Sequence, residues 1–336
     1  SNQTELGLEI IPSAVEVYSE ASTPLPMGVI DKVNVEMDTR LNNRFMDLRK
    51  PEIRAIFELK SLMVRLIVEA MEENGFTQVY TPKIVGSGAE GGATLFQIEY
   101  FGKKAYLAQS PQLYKQMLMV AGMDRYYQVA RCFRDEDSRK DRQPEFTQLD
   151  IEMSFIEEKD IQDNMERMLA YIWKGLYGEE LQIPFPRISY MEAMERYGSD
   201  KPDLRYGLPL EKLTEVFRET NYGIMKKIVA EGGIIVGMNL KKDIAGDKIG
   251  RNDVDRYIAL AKKFGLGGLT WMRVVNGELD SNIVKYFTDD NKKGIKETMK
   301  AEEGDLIFLM AGPWKRTLEG AGLMRRQLAA DLGLVP

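Results

Sequence analysis

Apolar residues recur at helical spacing between residues 51 and 74, and this pattern predicts a long helix. Pro51 suits the first helical position, and the pair Asn74-Gly75 is typical of a helix end. The next letters, FTQVYTPKI, predict one strand. The proline near its end favours the edge of a sheet or the end of a strand.

Two alternating segments, 125–134 and 146–155, predict an antiparallel hairpin with a charged loop between its strands. Side chains alternate between the two faces of a strand. The polar face of the second strand carries Gln148, Asp150 and Glu152. Its apolar face carries Leu149, Ile151, Met153 and Phe155. The polar row is compatible with a solvated face or with a binding surface, and alternation does not choose between them.

Further periodic segments divide the chain into two parts. In the first part, helices are predicted at 111–121, at about 159–177 and at 189–198, where SYME forms a capping box. After about residue 206, strands are predicted at 232–240, 269–275 and 305–312, with helices at 252–264 and 291–302. This alternation predicts a separate small α/β or α+β module.

The amino-acid composition says little about the fold, but it excludes several kinds of catalytic and metal site. The 336 residues are enough for two domains, and 44% hydrophobic and 29% charged residues are ordinary for a globular protein. The single cysteine, Cys132, permits no internal disulfide, which fits a cytoplasmic protein. The absence of histidine excludes His-based acid–base catalysis and any zinc site built from His and Cys.

Charge and hydropathy bear on the partners. The formal net charge of −6 gives no overall attraction to nucleic acid, so RNA binding would need a local basic patch. No apolar run approaches the roughly 20 residues that span a membrane, so no membrane partner is expected.

Three segments are candidates for chemistry. The loop that begins at Arg134 holds eight charged residues whose charges sum to zero; it is either a self-neutralising hairpin tip or a loop that binds phosphate. In QSPQLYKQ, Ser110 is the predicted N-cap, and Gln112 and Lys115 share one helical face. That face offers an amide and an ammonium to a small anion, unless it is a routine cap with exposed polar residues. The glycine-rich loop around Glu90 is a lid or a plain surface loop.

Taken together, these segments resemble the class II aminoacyl-tRNA synthetases, and within them the aspartyl-tRNA synthetases. NGFTQVYTPKI resembles motif 1, and QVARCFRDEDSRKDRQPEFTQLDIEMSF looks very like motif 2. QSPQLYKQMLM resembles the segment that binds the amino acid, and GAEGGATLF resembles the mobile loop. Residues 207–318, including GGLTWMRV, resemble more loosely the insertion domain of the bacterial enzymes.

The resemblance implies an α+β fold: an antiparallel sheet flanked by helices, with a second, smaller α+β insertion domain. Residues 1–48 would be a hinge and the remnant of an N-terminal OB-fold region. Residues 49–206 would form an incomplete class II core, and residues 207–318 the insertion domain. Residues 319–336 would be an exit helix leading back towards the core.

The same resemblance implies roles for individual residues. Arg134 would bind the ATP α-phosphate and the aspartate carboxylate. Glu136 and Gln143 would contact the nucleotide, and Phe146 would stack on adenine. The aspartate pocket would be formed by Glu90, Ser110, Gln112, Lys115, Gln148 and Asp150, with Lys115 at the side-chain carboxylate.

The implied reaction is the ligation of aspartate to tRNA through aspartyl-adenylate, with ATP as substrate. Mg²⁺ would take part, but its ligands would lie mostly outside this chain. The implied partners are aspartate, ATP, tRNA and a second copy of the chain, joined through motif 1.

One part of the pattern departs from the family. Motif 3 should follow the insertion domain, and EGAGLMRRQL (319–328) resembles it only superficially, because it lacks the acidic residue usual before the arginine. The chain is therefore expected to be inactive or weakly active as a fragment. The alternatives are a non-catalytic truncated paralogue that binds tRNA or a protein partner, and an enzyme similar to asparagine synthetase.

Overall fold

The computed structural model describes residues 10–29, 34–87, 95–135, 142–245 and 248–335. Within it the chain forms two compact units, Ser1–Phe185 (unit 1) and Pro186–Pro336 (unit 2). Both units combine helices with mainly antiparallel sheets. The predicted α+β class is confirmed, whereas the division of the chain into four functional segments stays a prediction.

Unit 1 is built around a long helix and two small sheets. Its helices in the described residues are α1 (Met37–Asn42), α2 (Arg44–Asp47), α3 (Pro51–Glu73), α4 (Gln112–Val120) and α5 (Glu158–Tyr177). Its strands there are β1 (Thr77–Gln78), β2 (Ile84–Val85), β3 (Gln97–Tyr100), β4 (Lys103–Leu107), β5 (Arg125–Phe133) and β6 (Glu145–Met153). The sheets have the orders β1-β5-β6 and β2-β4-β3.

The predicted long helix is confirmed as α3, with Pro51 in its first turn. Its C-terminal half packs against α5, because Gly175 has no side chain where a Cβ would lie 2.5 Å from Leu66. Ala70 and Met71 join the apolar cluster beneath the sheet, which is completed by Phe76, Tyr127 and Met168. This cluster supports one face of the β5–β6 hairpin.

The segment FTQVYTPKI does not form the single strand that was predicted. Thr77–Gln78 pairs in parallel with β5, whereas Ile84–Val85 pairs with β4 in the other sheet. Pro82 lies between the two strands, and a proline has no N–H to donate to a ladder. The chain therefore passes from one sheet to the other at this point.

The predicted antiparallel hairpin is confirmed, and its register pairs Gln128 with Asp150 and Ala130 with Gln148. The prediction was wrong at Phe155. The strand ends at Met153, and Phe155 adopts a positive φ of 54° and is 99% exposed. The left-handed backbone turns the chain towards α5, so Phe155 does not share the apolar face.

Unit 2 contains a five-stranded antiparallel sheet of order β10-β9-β11-β8-β7. Its described strands are β7 (Leu210–Lys212), β8 (Ile234–Leu240), β9 (Thr270–Val275), β10 (Glu278–Asp280) and β11 (Leu306–Gly312). Its described helices are α6 (Tyr190–Tyr197), α7 (Gly223–Ala230), α8 (Arg251–Lys263), α9 (Asp289–Thr298) and α10 (Trp314–Asp331).

Both faces of the unit 2 sheet are buried. Along β11, Leu306, Phe308 and Met310 belong to one apolar cluster, and Ile307 and Leu309 belong to a second cluster on the other face. The continuous apolar run of β11 follows from this two-sided burial. α9 begins and ends earlier than predicted, because Thr288 and Asn291 form a capping box at its N-terminus and Thr298 is its last residue.

Candidate active site

The polar row of β6 lies on a partly buried surface of unit 1. Gln148, Asp150 and Glu152 project from one face of the hairpin, and the opposite face packs on the apolar cluster beneath α3 and α5. Asp150 is 4% exposed and its cross-strand neighbour Gln128 is 1% exposed. A solvated face does not explain such burial, so the polar row fits a binding surface better.

Lys115 reaches this surface from α4 and contacts two carboxylates. Its Nζ lies 3.1 Å from Asp150 Oδ1 and 3.2 Å from Glu152 Oε2. Gln148 Nε2 donates to Asp150 Oδ2 at 2.9 Å. Burial by itself lowers the pKa of Lys115, but Asp150 and Glu152 together raise that pKa above its usual value. Lys115 therefore carries its charge at neutral pH.

A second contact fixes the direction of α4. Ser154 Oγ lies 3.1 Å from Met119 Sδ, one helical turn after Lys115. Because Lys115 contacts residues 150 and 152 and Met119 contacts residue 154, α4 runs in the same general direction as β6. Its N-terminus therefore points back towards Gln148 and Phe146. The N-terminal end of a helix carries a partial positive charge that favours anions.

The start of α4 differs from the prediction. Pro111, and not Ser110, occupies the N-cap position, and the helix begins at Gln112 without a side-chain cap. Ser110 is instead buried and lines, with Gln109, a cavity of about 190 Å³ whose walls are otherwise mainly apolar. This cavity lies beside α4, between the helix and the β2–β4 strand pair.

Arg134 and Phe146 form the other end of the same hairpin face. The Arg134 guanidinium lies over the Phe146 ring, 5.2 Å from its centroid, and the Arg134 N–H donates to the Pro144 carbonyl at 2.9 Å. Phe146 and Asp150 are four residues apart on one strand, which corresponds to about 13 Å. Arg134 and Lys115 thus lie at the two ends of one continuous surface that includes Gln148.

The predicted site residues fall into three groups. Lys115, Gln148 and Asp150 are in direct contact, and Arg134 is in contact with Phe146. Gln112 lies in the first turn of α4 and is half-buried, whereas Gln143 is exposed before β6. Glu90 and Glu136 lie outside the described residues. The functional roles of all these residues stay predictions.

Four residues near Asp150 were not predicted to belong to the site. The amide of Gln128 has its oxygen 3.0 Å from Lys83 Nζ, since an ammonium only donates. Its nitrogen then faces the Tyr126 hydroxyl at 2.8 Å and the Thr81 hydroxyl at 3.0 Å. Burial lowers the pKa of Lys83, and burial beside Asp150 raises the pKa of Tyr126. The alternation in β5 could have indicated Tyr126 and Gln128, but no local signal indicates Lys83.

In residues 319–328, Arg325 is buried within unit 2, whereas its neighbour Arg326 is exposed. The buried Arg325 guanidinium donates to the carbonyl oxygens of Asp203, Tyr206, Gly207 and Leu208 at 2.9–3.1 Å. Its glycine neighbours serve packing: a Cβ on Gly322 would lie 2.2 Å from the Gly198 carbonyl oxygen. Arg325 and Gly322 thus have packing roles within unit 2, and the relation of this run to motif 3 stays a prediction.

The described ranges contain no group of three or more Asp, Glu, Cys or His side chains that could hold a metal ion. Asp150 and Glu152 are engaged by Lys115, so these residues do not fit a Mg²⁺ site. No helix in the described ranges is long and apolar enough to cross a membrane.

Comparison with known families identifies the class of protein that this fold and site define. The profile of the family described as "tRNA synthetases class II (D, K and N)" matches residues 36–318, and the chain belongs to that family.

Individual relatives give a finer comparison. The chain is 42% identical over 316 residues to the aspartate–tRNA(Asp/Asn) ligase of Persephonella marina, covering 93% of this chain and 52% of the relative. It is 40% identical over 330 residues to the aspartate–tRNA ligase of Geobacillus kaustophilus, covering 98% of this chain and 55% of the relative. The chain thus spans about half the length of these relatives.

Solved structures are similar at lower identity. The asparaginyl-tRNA synthetase of Pyrococcus horikoshii, complexed with asparaginyl-adenylate, is 20% identical with a TM-score of 0.45. The match covers 90% of this chain and 72% of that one.

Proposed function

We propose that this chain is the part of an aspartate–tRNA ligase that binds aspartate and ATP. In the whole protein, a carboxylate oxygen of aspartate attacks the α-phosphorus of ATP, and the bond to pyrophosphate breaks. The resulting aspartyl-adenylate then transfers its aspartyl group to the 3′-terminal hydroxyl of tRNA and releases AMP. The names of the relatives at about 40% identity support this assignment.

The observation that carries the proposal is the surface between Lys115 and Arg134. Lys115 supplies an ammonium for the side-chain carboxylate of aspartate, and Asp150 supplies a carboxylate for its amino group. The positive end of α4 points along the same surface towards Arg134. An amino acid bound at Lys115 would therefore extend its α-carboxylate towards the end of the site where ATP is proposed to bind.

The Arg134 end fits a nucleotide. A guanidinium can bind a phosphoryl group through two parallel hydrogen bonds, and an aromatic ring offers a stacking surface for adenine. With Arg134 over Phe146, an adenine stacked on that ring would lie beside the cation proposed to contact the α-phosphate. The contribution of these residues to catalysis would be positioning and charge stabilisation. No step is assigned to Mg²⁺ within the described residues.

Two further elements of the proposal concern the whole protein. The exposed apolar residues of α3, including Ile56, Phe57 and Leu59, are proposed to contact a second copy of the chain. Because the Arg325 guanidinium is occupied by backbone carbonyls of unit 2, Arg325 is not proposed to bind ATP. The isolated chain is therefore expected to bind aspartate and ATP without efficient aminoacylation.

Calorimetry with a non-hydrolysable aspartyl-adenylate mimic tests the proposal. Lys115→Met and Arg134→Ala should each weaken binding about tenfold or more, because each removes a charge-assisted contact. Lys104→Met is the matched control, since Lys104 is exposed on β4 away from the site. If the wild-type chain binds no mimic, or if all three variants bind equally well, the proposal is wrong.

A further inference from the structure

Two lysines of unit 1 approach the polar face of the hairpin, and they differ in their partners. Lys115 contacts the carboxylates of Asp150 and Glu152. Lys83 is half-buried, and its hydrogen-bond partners in the described part of the chain are neutral: the Gln128 amide oxygen at 3.0 Å and the Thr81 hydroxyl at 3.5 Å. Among the residues that the structure describes, no carboxylate forms an ion pair with Lys83. A half-buried ammonium without a counter-ion is costly.

The backbone holds Lys83 beside the site. Its carbonyl accepts from the Ala108 N–H at 2.9 Å, and the Ala108 carbonyl accepts from the Phe133 N–H at 3.0 Å. These two bonds join β2, β4 and β5 at the point where the chain enters Gln109 and Ser110. The position of Lys83 is therefore fixed from both sheets and does not depend on its flexible side chain alone.

Gln128 connects the Lys83 ammonium to the site. Its oxygen faces Lys83, and its Cα lies directly across from Asp150 in the hairpin register. Side chains at such paired positions have Cβ atoms about 5 Å apart. The Lys83 ammonium, on the Gln128 side of Asp150, is thus close enough for its charge to interact with the Asp150 carboxylate.

The charges of this cluster balance only when Lys83 is counted. Asp150 and Glu152 contribute two negative charges, and Lys115 and Lys83 contribute two positive ones. Aspartate at neutral pH carries one net negative charge, whereas asparagine carries none. Without Lys83 the cluster would be net negative and would repel aspartate but not asparagine.

We infer that Lys83 is a specificity-determining residue of this site, a second cation that favours an amino acid with a side-chain carboxylate over its amide. Lys83 does so by offsetting the charge of Asp150, so that Lys115 remains able to attract a further carboxylate. The inference rests on the proposed function, because it assumes that an acidic amino acid binds at Lys115.

The experiment measures the affinities of the full chain for non-hydrolysable mimics of aspartyl-adenylate and asparaginyl-adenylate. Lys83→Gln keeps hydrogen-bonding capacity towards Gln128 and Thr81 but removes the charge. It should lower the affinity for the aspartyl mimic about tenfold and change the affinity for the asparaginyl mimic by less than about threefold. Lys83→Arg, which keeps the charge, should restore most of the preference, and Lys104→Gln, an exposed control, should leave it unchanged.

A purely structural role would give a different pattern. If Lys83→Gln lowers the affinities for both mimics equally, lowers neither affinity, or gives the same affinities as Lys83→Arg, the inference is overturned while the proposed function stands. If the wild-type chain binds neither mimic, the proposed function fails, and the inference fails with it.

A second variant covers the case in which Lys83→Gln does not fold, as judged by circular dichroism. Thr81→Asp places a carboxylate beside the Lys83 ammonium and cancels its charge without removing the side chain. The same selective loss of affinity for the aspartyl mimic is then expected. An unchanged preference for the aspartyl over the asparaginyl mimic would overturn the inference.

Discussion

The two units of this chain handle apolar surface in opposite ways. In unit 2 a single sheet is covered on both faces, and the described apolar clusters contain 20 and 12 buried residues. In unit 1 the described apolar cluster contains five, and it lies on only one face of the hairpin. The other hairpin face carries charged groups, and α3 exposes Phe57 and Leu59.

The units also differ in how they use polar groups. In unit 2 two buried charged side chains find their partners within the unit: Arg325 donates to four carbonyls, and Asp305 accepts from Asn239 and from two backbone N–H groups. Unit 2 has 25 basic and 22 acidic residues and therefore a net charge of +3. Unit 1 has 21 basic and 30 acidic residues and therefore a net charge of −9. Unit 2 is thus self-contained, whereas unit 1 keeps charged and apolar surfaces that suit ligands and partners.

Removing the Arg325 side chain should have the largest effect on this contrast. Arg325→Met leaves the buried carbonyl oxygens of Tyr206 and Leu208 and the partly buried ones of Asp203 and Gly207 without this donor, which should destabilise unit 2 by about 3 kcal/mol or more. Urea unfolding followed by the fluorescence of Trp271 and Trp314, in a Trp173→Phe background, reports on unit 2 alone. The exposed neighbour Arg326 provides the control: Arg326→Met should change stability by less than about 0.5 kcal/mol. Equal stability of the two variants would show that the Arg325 contacts contribute little.

The close approach of α6 and α10 should give the next largest effect. Gly322→Ala places a Cβ 2.2 Å from the Gly198 carbonyl oxygen, and this backbone contact cannot relax by a rotamer change. We expect a destabilisation of about 2–3 kcal/mol.

Gly223 is the matched control for Gly322, because it begins α7 with no atom within 4 Å of an added Cβ. Gly223→Ala should stabilise unit 2 by about 0.5 kcal/mol, since it restricts the unfolded chain. Thermal unfolding of both variants should therefore show shifts of opposite sign, and shifts of the same sign would contradict the packing argument.

The exposed face of α3 should show the smallest effect on stability. Phe57 is 45% exposed, so Phe57→Glu should change the free energy of unfolding of the monomer by only about 0.5 kcal/mol. If this face joins two copies of the chain, the same variant should abolish self-association in sedimentation velocity. Lys60→Glu, on an exposed position of the same helix, controls for the added negative charge. A Phe57→Glu chain that still associates like the wild type would exclude this face as the interface.

Local patterns predicted most of the secondary structure, because a helix or strand depends mainly on residues close in sequence. Half of the capping box predicted at the start of α6 is confirmed: Ser189 Oγ accepts from the Glu192 N–H at 3.2 Å. The two faces of β6 follow from alternation alone, apart from Phe155. Errors occurred where tertiary structure overrides a local pattern, as at Pro82, where one predicted strand divides between two sheets.

By itself, the sequence determined that Gln148, Asp150 and Glu152 share a strand face and that Lys115 lies on a helix, since these relations depend on backbone periodicity. The tertiary structure alone decided which distant groups meet. Lys83 and Gln128 are 45 positions apart, and Arg325 donates to carbonyls 117–122 positions away. Such contacts are set by how helices and sheets pack, and packing depends on many residues at once. The same sequence pattern can therefore place an arginine in a binding site or, as in unit 2, in a buried turn.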